Sequence, residues 1–313
     1  MSEMAVRFSR PAAPAEMPAD GSSLSALVAA ARPKQWIKNL VLPLPFLFGR
    51  ALATPAGWLS AAAGFVVFSC IASGIYIVND VMDRERDRAH PEKRHRPIAS
   101  GRLAVSTAVS AAIAIEIAGL LAAFLLRADF GRWCFAYAAL MIAYSLLLKR
   151  IPFLEALIVA AGMPLRALAG AALAGVTASN FLLICAYLLA LFLVAGKRQW
   201  EFHNVGARSS SEHRPALAAY RAEGLDYLFI VTGLTTVSAY SAYSVLSTTA
   251  AHYGQSLAAT VPFVVLGLAR YMHLVYRRGG GGSPTQALLV DDSWLLVIVI
   301  GWVATAGWII YGH

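Results

Sequence analysis

Long apolar runs separated by short polar and basic stretches make up most of the chain. A helix that crosses a bilayer needs roughly 20 mostly apolar residues. Nine stretches meet that measure, at about 35–54, 57–78, 104–126, 132–148, 153–175, 179–196, 226–250, 257–276 and 293–311. Lys38, Pro43, Pro45 and Arg50 interrupt the first, and 132–148 is short enough to be tilted or trimmed by a few positions. The pattern predicts an all-α fold, a polytopic membrane bundle of about nine transmembrane helices. Composition agrees, because only 14% of the residues are charged, against about 25% in soluble domains.

Charge placement orients the bundle. Lys and Arg are enriched in short cytoplasmic loops, and that bias sets topology. With nine helices and a cytoplasmic N-terminus, the loops at 79–103, 149–152, 197–225 and 277–292 fall on the cytoplasmic side. Together with the N-terminal segment and helix ends, that side then holds 23 of the 26 basic residues, leaving Arg50, Arg127 and Arg132 opposite. His313 is expected outside. The first 22 residues are rich in Ala and Pro and lack a signal-peptide core, so 1–22 reads as a disordered cytoplasmic tail and 23–313 as one transmembrane domain. Gly279–Gly282 followed by Ser283-Pro284 reads as a flexible connection. Cys70, Cys134 and Cys185 sit in apolar segments without paired spacing and read as small packed residues. The basic pI, about 9.7, follows from topology and anionic ligands, and no nucleic-acid partner is expected.

One polar stretch stands apart from this scheme. Asn79-Asp80-Val81-Met82-Asp83-Arg84-Glu85-Arg86-Asp87 lies where an apolar run meets a basic loop. On a continuing helix, residues three or four apart share a face, which aligns Asn79, Asp80, Asp83 and Asp87 in one stripe. Three carboxylates on one stripe repel one another unless a cation neutralises them. Mg²⁺ suits them, because it takes oxygen ligands and is shared between a few carboxylates and substrate phosphates. The expectation is a diphosphate–Mg²⁺ site facing the cytoplasm. A solvated acidic loop is the plainer account of the same residues.

Further polar residues gather in the same loops. Pro and Gly punctuate 88–102, so it reads as a structured turn. Arg86 in the stripe, with Lys93, Arg94 and Arg96 in the turn, is suited to phosphate oxygens. The first span opens Arg32-Pro33-Lys34-Gln35-Trp36-Ile37-Lys38-Asn39. Trp36 fits the aromatic belt and Lys34 the headgroups, whereas Lys38 and Asn39 lie a turn inside an apolar helix, where polar residues point to function. Arg166 is deeper still and is expected to face a wet cavity or a phosphate, with Glu155 as its counter-charge. Gly196-Lys197-Arg198-Gln199-Trp200-Glu201 places Lys197 and Glu201 on one face as an i,i+4 pair, beside Arg198. Arg214 and Tyr220 follow.

These residues resemble the UbiA superfamily of intramembrane prenyltransferases, over nearly the whole chain from about Arg32. The Asn79–Asp87 stripe matches the superfamily's first aspartate-rich motif, supported by Tyr144-Ser145, Lys149-Arg150 and Pro152. The resemblance implies a diphosphate held through Mg²⁺ at two aspartate-rich motifs and transfer of a group from it to an acceptor. The chain departs at the second motif, where Lys197, Arg198 and Glu201 stand in place of aspartates. With Lys34-Gln35-Trp36-Ile37-Lys38-Asn39, that departure is similar to the decaprenyl-phosphate phosphoribosyltransferase branch. For that branch the donor is phosphoribosyl diphosphate and the acceptor a polyprenyl phosphate, on a route to arabinose donors for cell-wall polymers.

Under that reading Asn79, Asp80, Asp83 and Asp87 hold Mg²⁺ against the donor diphosphate, with Asp80, Asp83, Asp87 and Lys197 as catalytic residues. Lys197, Arg198 and Lys38 clamp the lipid phosphate or the sugar 5-phosphate, because replacing carboxylates with cations changes the preferred ligand from metal to anion. Lys34, Gln35, Lys149, Arg150, Glu155, Arg166, Glu201 and Tyr220 complete the expected substrate contacts. The protein is expected in the inner (plasma) membrane, with a homo-oligomer as an option. Two other readings are prenyl transfer to an aromatic or haem acceptor and, in a different class, a polytopic lipid carrier or transporter. The latter is disfavoured because the charges gather on one side and no inverted repeat is visible.

Overall fold

The apolar runs become helices whose ends are set by local chemistry. The computed structural model describes residues 23–90, 93–151, 153–205, 222–246, 254–277 and 283–312, and those residues contain no strand. The N-terminal tail and Gly279–Gly282 lie outside them. In chain order the main helices are α1 (Ser23–Ala31), α2 (Leu44–Phe48), α3 (Pro55–Met82), α4 (Arg84–Ala89), α5 (Val105–Leu126) and α6 (Ala128–Leu146). Then come α7 (Leu154–Ala174), α8 (Asn180–Val205), α9 (Ala222–Leu246), α10 (Val261–Arg277) and α11 (Ser293–Tyr311). Thr54 starts α3 by accepting from Gly57 N at 3.1 Å with Pro55 at the first helical position. Asp292 starts α11 by accepting from Trp294 N at 2.9 Å. Both are N-caps that satisfy otherwise orphaned donors.

Seven helices among the described residues are long and apolar enough to cross a membrane: α3, α5, α7, α8, α9, α10 and α11. The protein is an integral membrane protein. Two of the nine expected spans fall outside that group. α6 has 19 residues, about 28 Å, but carries Asp129 and Arg132 in its first turns. The stretch 35–54 is not one helix: it is a 3₁₀ segment (Pro33–Val41), then α2, then a 3₁₀ turn (Ala51–Ala53). Pro43 and Pro45 explain the break, because proline withholds an N–H and clashes with the preceding turn.

The broken segment is nevertheless seated deep. A Cβ on Gly170 of α7 would lie 2.0 Å from the Leu42 carbonyl oxygen, so only glycine lets the two backbones approach this closely. Small residues at helix contacts serve this purpose in membranes, where apolar burial gives no drive between helices. Around this seat, Leu42, Phe46, Phe68, Ile71, Tyr137 and Leu173 form one core, with the Phe68 and Tyr137 rings 4.7 Å apart. A second core joins α8, α9 and α10 through Phe192, Phe229 and Tyr271. Packing of α7 on α8 links the two. Ile113, Ile117, Leu121 and Leu125 of α5 repeat every fourth residue and are exposed, as a lipid-facing stripe should be.

A smaller cluster positions the site. Ile98 and Leu103 are buried with Ala26 and Ala30 of α1, Ile77 of α3 and Ala108 of α5. This pins the 96–103 turn beside the C-terminal end of α3, where the acidic stripe lies.

Candidate active site

The stripe does not continue on a single helix. α3 stops at Met82, Asp83 sits at φ −96° and ψ 3°, and α4 starts at Arg84. The i→i−4 hydrogen bonds still run through the break: Asp83 N donates to the Asn79 carbonyl at 3.0 Å, and Asp87 N to the Asp83 carbonyl at 2.8 Å. The carboxylates therefore keep their common side but take separate partners. Asp80, buried, accepts from both Arg32 and Arg96, the latter at 3.1 Å. Arg96 Nη1 also donates to Asp87 Oδ2 at 2.6 Å. Asp83 accepts from Lys149 Nζ at 2.7 Å. The cations that answer the stripe's repulsion are thus protein cations from three other segments.

Arg96 is held in place by its own loop. Arg88 Nε donates to the Ala99 carbonyl at 3.0 Å, and Arg102 Nη2 to the His95 carbonyl at 2.8 Å. With Ile98 buried in between, the turn delivers the Arg96 guanidinium to Asp80 and Asp87. Arg86 and Arg94, expected beside it, are exposed.

A second ion-pair cluster lies where α7 begins and α8 passes. Glu155 accepts two hydrogen bonds from Arg198, at 2.8 and 2.9 Å, and Glu201 accepts a third at 2.7 Å. The guanidinium expected to clamp a phosphate is therefore committed to two carboxylates. Glu155 is likewise the partner of Arg198 and not of Arg166. Glu201 forms its ion pair with Arg198 three residues away and is also the strongest charge acting on Lys197, the neighbour the sequence suggested. Tyr144 lies within electrostatic reach of Glu155, Arg198 and Glu201 and also of Asp83, and so of both clusters.

Arg166 is buried without a carboxylate. Its Nε donates to Asn39 Oδ1 at 2.8 Å, Nη1 to the Gly162 carbonyl at 2.7 Å and Nη2 to Tyr137 Oη at 2.7 Å. The Tyr137 ring lies 4.7 Å from the guanidinium carbon, close enough for a cation–π contact. Asn39 in turn donates to Ser69 at 2.9 Å. Arg166 thus ties the 33–41 segment to α6 and α7.

Lys38 and Lys197 are half-buried and form no ion pair among the described residues. Lys197 feels Glu201 most among its charged neighbours, then Arg198, Lys38 and Lys93, and Lys38 feels Arg166 and Arg32. Cations from the 33–41 segment, the 93–95 turn and α8 therefore lie within electrostatic reach of one another, with Glu201 among them. Gln35 accepts from Thr285 at 3.1 Å, and Trp36 donates to Ser73 at 3.0 Å, so the expected belt residue is tied to α3. Lys34 and Arg150 are exposed, and Arg214 and Tyr220 lie outside the described residues.

Three features escaped the sequence reading. Arg32 pairs with Asp80 and stacks over Tyr76, its guanidinium carbon 5.5 Å from the ring centre. Its only local signal is a basic residue before Pro33. Asp226 of α9 accepts from Gln199 and from Tyr276 Oη, the latter at 2.7 Å, which supplies a carboxylate in the second half. Glu116 of α5 packs against Gly74 of α3, where a Cβ would lie 2.5 Å from its Oε1. Its carboxylate is buried against α3, beside the Ile75 backbone and with no side-chain partner among the described residues.

Among the described residues no three His, Cys, Asp or Glu side chains converge as a ready metal cage. The donor set still fits a hard divalent cation. Asp80 and Asp87 both reach one positive nitrogen of Arg96, and Mg²⁺ commonly takes one or two carboxylates, completing its shell with water and phosphate oxygens.

Comparison with known proteins gives these features a lineage. The chain is 35% identical over 285 residues to a decaprenyl-phosphate phosphoribosyltransferase of Corynebacterium glutamicum, covering 88% of this chain and 84% of that one. It is 32% identical to the protein of the same name from Mycolicibacterium smegmatis, covering 92% and 93%. Its fold matches a UbiA homologue of Archaeoglobus fulgidus bound to GPP and Mg²⁺, with a TM-score of 0.69 and 18% identity over 91% of this chain and 99% of that one. The model of the UbiA prenyltransferase family matches residues 42–290. The chain belongs to the UbiA prenyltransferase family and is a transferase.

Proposed function

We propose that the protein transfers 5-phosphoribose from phosphoribosyl diphosphate to a polyprenyl phosphate and releases pyrophosphate. The observation that carries this reading is the group of lysines in the second half of the site. Arg198 is neutralised there by Glu155 and Glu201, whereas Lys197, beside Glu201, also lies in the field of Lys38 and Lys93, and none of these three lysines forms an ion pair among the described residues. A prenyl donor with an uncharged acceptor calls for metal-binding carboxylates there. Two phosphorylated substrates call for fixed cations. The two phosphoribosyltransferase relatives support the same assignment.

In this reading Asn79, Asp80, Asp83 and Asp87 provide oxygen ligands for Mg²⁺ beside the donor diphosphate. The metal ion, when bound, neutralises charge on the departing pyrophosphate. Lys38, Lys93 and Lys197 face the remaining phosphate. The bond from the ribose anomeric carbon to pyrophosphate breaks with its electron pair leaving on oxygen. A lipid phosphate oxygen then forms the new bond to that carbon. This nucleophile is already anionic, so no side chain has to remove a proton. The protein contributes by holding the two anions in line and by stabilising charge with groups fixed beforehand. The site faces the cytoplasm of the plasma membrane, and the product is placed on the route to arabinose donors for cell-wall polymers.

Prenyl transfer is the second reading, favoured by the GPP-bound fold neighbour. The test supplies labelled phosphoribosyl diphosphate and a polyprenyl phosphate to purified protein, with and without EDTA, and counts the lipid fraction. Metal-dependent label in the lipid is expected. No label, in a preparation active with a prenyl diphosphate, would overturn the phosphoribosyl assignment.

A further inference from the structure

The acidic stripe is electrically complete without any metal. Asp80 has two arginines, Asp87 shares one of them, and Asp83 has a lysine. Each cation comes from a different part of the chain: Arg32 precedes the 33–41 segment, Arg96 sits on the anchored turn and Lys149 follows α6. All three cations are at least partly open to solvent, whereas Asp80 and Asp87 are buried. Arg32 also holds a left-handed backbone at φ 53° and ψ 59°. That conformation is unfavourable for a residue with a Cβ, and here it coexists with the Asp80 pair and the Tyr76 stack.

A bare divalent cation entering this site would have to displace these partners. Arg32, Arg96 and Lys149 would then be stranded beside the metal, positive against positive. A metal arriving with a diphosphate meets a different balance. Its positive charge goes to the carboxylates, while the displaced guanidinium and ammonium groups acquire phosphate oxygens, which they bind through charge-assisted hydrogen bonds. We propose that Arg32, Arg96 and Lys149 are exchangeable counter-ions of the acidic stripe, which pass from carboxylate to diphosphate and so admit metal and diphosphate only together. This inference rests on the proposed function only in that the donor carries a diphosphate, so it holds equally for a prenyl donor.

The consequence is a coupling between two ligands, and coupling is reciprocal. The experiment uses the full chain in detergent, Mn²⁺ in place of Mg²⁺, and pyrophosphate as a probe that cannot turn over. Binding of Mn²⁺ is followed by the paramagnetic resonance of the free ion, first alone and then with pyrophosphate. The wild-type protein is expected to take up Mn²⁺ only with pyrophosphate. The two probes also associate in solution, so the variants supply the decisive comparison. Arg96→Gln and Arg32→Gln remove a competitor for Asp80 and are each expected to bind Mn²⁺ alone about tenfold more tightly than wild type. Their gain from added pyrophosphate should shrink by a similar factor. Lys149→Met, acting at the less buried Asp83, provides a third variant should either arginine variant fail to fold. Tight Mn²⁺ binding by the wild type alone would overturn the proposal. So would folded variants that bind Mn²⁺ no better than wild type. Failure of phosphoribosyl transfer would leave this result unchanged, which separates the two ideas.

Discussion

Two ion-pair clusters lie within electrostatic reach of Tyr144, and their different exposure suits them to different tasks. In one, Arg198 and Glu155 have 4% and 1% of their side chains exposed, and the guanidinium is satisfied by three carboxylate contacts. In the other, Arg32 and Arg96 are 26% and 27% exposed, and they crowd onto a single Asp80 oxygen. Removing one partner of a dry bidentate pair leaves a buried charge with no solvent to turn to. A cation at the wet edge can be rehydrated or exchanged for another anion. The first cluster fastens α7 to α8, and the second can open.

The largest effect should come from breaking the dry cluster. Arg198→Ala leaves Glu155 uncompensated and is expected to destabilise the protein by about 3–5 kcal/mol, read as a fall in its unfolding midpoint in detergent. The double variant Glu155→Leu, Arg198→Met should recover most of that loss. If it melts as low as the single variant, the cluster's worth is not electrostatic.

Asp83→Ala should show the opposite division. Turnover is expected to fall by about 10²–10³-fold or more. Stability should fall less than in Arg198→Ala, because Lys149 and Asp83 keep 11% and 21% of their side chains exposed, against 4% and 1% in the dry pair. A smaller effect is expected of Lys197→Met. It should raise KM for a phosphorylated substrate about tenfold, equivalent to about 1.4 kcal/mol, with kcat less affected. An equal fall in kcat and kcat/KM would instead put Lys197 at the transition state. The smallest effect should come from the exposed Arg132–Asp129 pair at the start of α6, 71% and 50% exposed. Arg132→Ala should cost under about 1 kcal/mol and leave transfer unchanged.

Much of this was legible in the sequence, and the reason is locality. Apolar length gives the spans, so 57–78 anticipates α3 and 293–311 matches α11. The spacing of Asn79, Asp80, Asp83 and Asp87 places the acidic stripe because the contacts that define it lie within two turns. The partners of those carboxylates were not legible, because they are set by packing across the fold. Lys149 lies 66 residues from Asp83, and Arg166 lies 127 from Asn39. The pairing of Arg198 with Glu155 was not legible either, because the α7–α8 contact that makes it has no local trace. Pro43 and Pro45 did signal the interrupted first span. The close approach that seats it depends on Gly170, far along the chain.

The most direct measurement is a structure of the protein with Mg²⁺ and pyrophosphate, compared at Arg96 and Arg198. The account predicts that Arg96 leaves Asp80 and Asp87 for pyrophosphate oxygens while Arg198 keeps both bonds to Glu155. Arg96 still seated on both aspartates, with the ligands bound elsewhere, would contradict it.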